Sequence, residues 1–191
     1  MLQKAPVSIY LEANPNPNSL KFVVNRTLLP DGISFDFPDL ESACNAPLAQ
    51  QLLQLDYVTR VFYMGNFITV TKTGEADWYE IRGEIKNQIA AYLEEDKPLL
   101  LEEVVLEGPN ENDSETVKKI KGILDEYVRP AVESDGGAIT FQSFNEGVVK
   151  VMLQGSCSGC PSSTLTLKAG IENLLQRMLP DEVQSVEAVS Q

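Results

Sequence analysis

The sequence predicts an α+β chain made of two small α+β domains, residues 1–98 and 113–191, joined by a linker over 99–112. Three observations predict it. Short runs rich in β-branched and aromatic residues flank tight turn sequences, as at Gly65-Asn66 and Asn145-Glu146-Gly147. Longer runs carry apolar residues at helical spacing. These elements occur on both sides of Gly108-Pro109-Asn110-Glu111-Asn112-Asp113, a polar stretch of turn formers without periodicity, where the hinge is expected.

Val7 to Leu11 and Leu20 to Val24 read as two strands of a hairpin about Asn14-Pro15-Asn16-Pro17-Asn18. After the turn Leu29-Pro30-Asp31-Gly32, the alternation of Ile33, Phe35 and Phe37 gives a short strand. Pro47 suits the first position of a short helix with Leu48, Leu52 and Leu55 on its apolar face. Val58 to Tyr63 and Phe67 to Thr71 form a second hairpin about Gly65-Asn66. Asp77 and Glu80 resemble a capping box before a helix carrying Trp78, Ile81, Ile85 and Ile89. Residues 99–106 are too apolar for a free linker.

The second half opens with a helix capped by Asn112 and Glu115, its buried stripe Val117, Ile120, Leu124, Tyr127 and Val128, its clean period ending at Arg129-Pro130. A turn at Ser134-Asp135-Gly136-Gly137 leads to strands over Ala138 to Phe144 and Val148 to Leu153. A helix from Pro161 to about Leu179 carries Leu167, Ile171, Leu174 and Met178, and Val183 to Val189 supplies a last short strand. The order is α-β-β-α-β, with helices on one sheet.

The chain has 191 residues, 43% of them hydrophobic and 23% charged, so a packed core is expected rather than overall disorder. Its net charge is −13, and both halves are acidic: 8 basic against 16 acidic side chains over residues 1–107, 7 against 12 over 108–191. That argues against nucleic acid or an anionic membrane as partner. There is no histidine, which excludes histidine general-base catalysis, serine and cysteine triads, and histidine-ligated zinc or iron. Three cysteines are too few for a disulfide framework. With no apolar leader, no membrane-spanning window and no Arg/Ser-rich start, the expectation is a soluble protein of the bacterial cytoplasm; a processed organellar protein would read the same.

Chemistry concentrates in Gly155-Ser156-Cys157-Ser158-Gly159-Cys160-Pro161-Ser162-Ser163, between a strand and a helix. Pro161 suits the first helical turn and pushes Cys160 out of helical geometry, so both sulfurs are expected in the loop at the helix entrance. The positive end of the helix should lower the thiol pKa values and favour thiolate. Gly155 and Gly159 leave room for a bulky group. A buried structural pair is disfavoured by the Gly/Ser-rich setting. A thioredoxin-type redox pair is the rival, although there the second cysteine lies within the helix and the surrounding pattern is βαβ. For metal the ligands must be counted. Zinc and iron–sulfur clusters take four, the chain offers Cys157 and Cys160 together, and Cys44 lies in the other domain with no assigned role. Two copies on a two-fold axis would supply four sulfurs, for a labile cluster or for structural zinc.

These residues resemble the Nfu family of NifU-like iron–sulfur scaffold and carrier proteins. In the second half the resemblance rests on Asp135-Gly136-Gly137, Gly147 to Val151, Gly155-x-Cys157-Ser158-Gly159-Cys160-Pro161-Ser162-Ser163, and Thr166-Leu167-Lys168-x-Gly170-Ile171-Glu172. In the first half it rests on Pro15 to Phe22 and Phe67 to Lys72. Ala138 departs from it, standing where many members carry an acidic residue. The resemblance implies a homodimer with a cluster, usually [4Fe–4S], bound through Cys157 and Cys160 of each subunit. It implies no catalytic residue, transfer to apo iron–sulfur client proteins, and an N-terminal domain that recognises clients or an upstream assembly scaffold. It further implies the shorter Nfu form, since NifU-type members with an extra scaffold domain carry more cysteines than the three here.

Overall fold

The computed structural model describes residues 6–102, 113–158 and 161–190, with backbone alone for 161–163 and 190. The chain divides into two compact units, Met1–Glu103 and Val104–Gln191. Each has its own core.

The first unit runs β1 (Ile9–Ala13), β2 (Ser19–Val24), β3 (Ser34–Phe37), α1 (Pro47–Leu53), β4 (Val58–Met64), β5 (Phe67–Lys72) and α2 (Trp78–Glu94). Its strands form an antiparallel sheet in the order β1-β2-β5-β4-β3. Both expected hairpins form. The β1–β2 turn is tied by Asn side chains: Asn14 Oδ1 accepts from Asn16 N at 3.1 Å, and Asn16 Oδ1 from Asn18 N at 3.0 Å. Gly65, at φ 49°, makes the second turn. The register pairs Phe22 with Ile68 and Val61 with Val70, so these side chains share one face. Leu48 and Leu52 of α1 and Ile81, Ile85 and Ile89 of α2 join them in the core. Pro47 opens α1 as expected, and Asp77 caps α2 by accepting from Tyr79 N. Leu99 and Leu100, at the start of the expected linker, pack against this core, and Leu101 N donates to Asn45 O at 2.8 Å. The rest of that linker, from 103 to 112, lies outside the described residues.

The second unit runs α3 (Glu115–Ile123), a π-helical turn (Leu124–Val128), α4 (Arg129–Ser134), β6 (Gly137–Asn145), β7 (Val148–Gly155), α5 (Pro161–Met178) and β8 (Ser185–Ser190). Ser114 is the N-cap of α3, its hydroxyl accepting from Val117 N; Asn112 of the expected cap lies outside the described residues. Helical structure does not stop at Arg129-Pro130 but continues to Ser134. A proline lacks the N–H of an ordinary helical bond, and the π turn before it lets the chain pass this point by spacing its bonds one residue wider. The same extra residue rotates the apolar stripe. Tyr127, expected in the core, is exposed, while Val128 and Val132 are buried. Among the described side chains of α5, Ile171 and Leu175 are buried and Met178 is exposed.

The sheet order is β6-β7-β8, with β6 and β7 antiparallel and β7 and β8 parallel. α5 is therefore the crossover of a β7-α5-β8 unit, the connection that parallel neighbours require. The α-β-β-α-β order is as predicted. The absence of a βαβ pattern, which weighed against a thioredoxin-type pair, is not: the cysteine loop does sit inside such a unit.

Candidate metal centre

Two glycines shape the entrance to the cysteine loop. β6 begins where β7 ends, with Gly137 paired to Gly155. Gly136 turns the chain from α4 into β6 at φ 80°, and Gly155 turns it out of β7 at φ 66°, both in the left-handed region that glycine tolerates. The loop is then sewn to its surroundings. Ser156 N donates to Gly136 O at 3.3 Å, and Ser156 Oγ donates to Asp135 O. Ser158 donates to Gly155 O from its backbone N at 3.1 Å and its hydroxyl at 3.0 Å. From the first turn of α5, Thr164 Oγ1 donates to Cys157 O at 3.0 Å.

This places Cys157 at the expected strand–helix junction but not in the expected environment. The residue is 8% exposed and belongs to the second core. Burial pushes its thiol pKa up; the Ser156 hydroxyl, 3.8 Å from Sγ, opposes that shift, and the Asp135 carboxylate adds to it. The expected lowering of this thiol's pKa is thus corrected: the cost of burying a negative sulfur raises it instead. Cys160 and Gly159 lie outside the described residues, as do the side chains of Pro161, Ser162 and Ser163. The backbone of α5 does begin at Pro161. Cys44 is exposed, in the first unit. Among the described residues, no three Cys, Asp or Glu side chains gather as a metal site.

Sequence reasoning read Asp135-Gly136-Gly137 as a turn and missed its second role as the floor under the cysteine loop. A Cβ on Gly137 would stand 2.9 Å from Cys157 Sγ and 2.6 Å from Gln154 O. The glycine pair was a legible turn signal, but nothing local says what lies above it.

Two α+β units, one bearing a cysteine loop between a strand and a helix, make up the chain. Family comparison is specific. The Nfu/NifU scaffold N-terminal domain matches residues 9–96, and the NifU-like domain matches residues 120–187. The chain is 43% identical over 183 residues to the human protein named NFU1 iron-sulfur cluster scaffold homolog, mitochondrial, covering 95% of this chain and 71% of that one. It is 40% identical over 191 residues to NifU-like protein 4, mitochondrial, of Arabidopsis thaliana, covering 97% and 67%. The solution structure of a NifU-like protein from Saccharomyces cerevisiae aligns with 54% of this chain and 92% of its own, at 25% identity and a TM-score of 0.45. The chain belongs to the Nfu family of iron–sulfur cluster scaffold proteins. It spans about two thirds of the length of the curated relatives it matches.

The expectation of a bacterial cytoplasmic location is overturned by these relatives, which are named as mitochondrial. Cysteine usage separates oxidising from reducing compartments, not one reducing compartment from another.

Proposed function

We propose that this chain is a carrier, not an enzyme, that holds a [4Fe–4S] cluster between the Cys157–Cys160 pairs of two copies and passes it to apo iron–sulfur proteins. The observation that carries the reading is the donor count. The chain has three cysteines and no histidine, and among the described residues no cluster of carboxylates and thiols completes a site. Four sulfurs come together when two copies bring their pairs to one two-fold axis. Family membership supports the cargo, and the mitochondrial relatives support a mitochondrial site of action. The buried, upward-shifted thiol of Cys157 speaks against this residue as the attacking thiolate of a disulfide oxidoreductase.

Hand-over exchanges ligands one at a time. Each incoming client thiol loses its proton as its sulfur bonds iron, each departing cysteine sulfur takes one up, and the electron count of the cluster is unchanged. The first unit supplies surface for clients and for an upstream scaffold. The test is anaerobic reconstitution with iron and sulfide, wild type beside Cys157→Ser. About two irons and two sulfides per chain on a dimer, lost in the variant, are expected. One of each per chain would point to [2Fe–2S]. No cluster, with a pair that oxidises reversibly, would overturn the carrier.

A further inference from the structure

We propose that Gly137 is a positioning residue for Cys157: its missing side chain forms the berth in which the thiol lies in the cluster-free protein, and the sulfur must leave that berth to ligate iron. Two observations meet here. A Cβ on Gly137 would stand 2.6 Å from Gln154 O and 2.9 Å from Cys157 Sγ, closer than side-chain carbons approach their neighbours, and 3.3 Å from Cys157 N, a tight contact. Cys157 is also buried among the residues of the second core, with Ser156 and Ser158 on either side buried too.

A sulfur enclosed in this way cannot share a metal with a second copy. The opening it needs is small. Lifting residues 156–158 breaks the Ser156 bonds to Asp135 O and Gly136 O and the bond from Thr164 Oγ1 to Cys157 O, strains those from Ser158 to Gly155 O, and leaves the β6–β7 ladder intact. On ligation the thiol proton passes to solvent as the Fe–S bond forms, and no electron moves. This ligation step rests on the carrier reading; the berth is a property of the cluster-free chain. While empty, the carrier keeps this thiol shielded from alkylating and oxidising reagents.

The test uses the full, reduced, cluster-free chain and iodoacetamide, with labelling of each cysteine followed by peptide mass spectrometry. Exposed Cys44 is the internal reference. Cys157 should react at least about tenfold more slowly than Cys44 in native protein, with the difference abolished in urea. Gly137→Ala should bring the Cys157 rate close to that of Cys44. Ser156→Ala, which removes one clamp without crowding β6, should raise it by a smaller factor. Both are read where circular dichroism shows the fold intact. A merely structural glycine would lower the melting temperature and leave the ratio of the two rates unchanged, which would count against the proposal. Wild-type Cys157 reacting as fast as Cys44 overturns it, whether or not either variant folds. Cluster loading is scored separately on the wild type: slow labelling without a cluster sinks the carrier and spares the berth, and fast labelling with a cluster does the reverse.

Discussion

Cys157 shows how far one side chain can be from the environment its neighbours in sequence suggest. A helix N-terminus favours thiolate, yet the residue is packed into a core that favours the neutral thiol. Tyr57 shows the same principle with a measurable outcome. Burial and the nearby Glu84 carboxylate, which accepts its hydroxyl proton at 2.7 Å, push its pKa up to about 12. The folded state therefore holds this proton more tightly than the unfolded chain, where the value is near 10.0. The resulting stabilisation is complete below the unfolded value and is lost as pH rises through the folded one. Urea midpoints followed from about pH 9 to about pH 12 should fall less steeply in Tyr57→Phe than in wild type. Some slope should persist in the variant, since burial also raises Tyr63 and Tyr92.

Among the elements, the cap of α3 is the simplest to test. Ser114 Oγ accepts from Val117 N at 3.3 Å, and Ser114→Ala should cost about 1 kcal/mol, read as a lower urea midpoint with unchanged slope. What could be read in advance, and what could not, divides by the range of the interaction. The β1–β2 and β4–β5 hairpins were legible because their turn residues sit between the strands they join. α2 was legible because Ile81, Ile85 and Ile89 keep one period throughout. The stripe before Pro130 was misread at Tyr127 because a π turn inserts one residue into a pattern that assumes 3.6 per turn. The parallel pairing of β7 with β8 leaves no mark in either strand, since alternation reports which face is buried and not which strand lies alongside. At the site, Gly155, Pro161 and the cysteine spacing announced a loop at a helix entrance. Burial of Cys157 was hidden, because it depends on Gly137, a residue of a different strand.

At the scale of the whole molecule, the two cores draw on separate stretches of chain. Ile85 is fully buried in the first, and Ile85→Ala should destabilise that unit by about 2–5 kcal/mol. The chain's one tryptophan, Trp78, packs against the same core, so its fluorescence reports on that unit. The expected result is an earlier fluorescence transition in urea, with iron bound per folded chain unchanged after reconstitution. Iron loss that shifts to lower urea together with the Trp78 transition in the variant would contradict that independence.

β7 is the middle strand of its sheet, bonded to β6 along one edge and β8 along the other. Amide hydrogens of such a strand exchange with solvent only when the whole unit opens, whereas those of a short loop exchange through local excursions. The cysteine loop hangs from the end of β7. A deuterium-uptake map should therefore show a boundary at Gly155, the Ser156 and Ser158 amides, bonded outside the ladder, exchanging faster than those of Val149 to Leu153. The steepness of that boundary measures how freely the sulfur-bearing loop can work while the fold behind it stays shut.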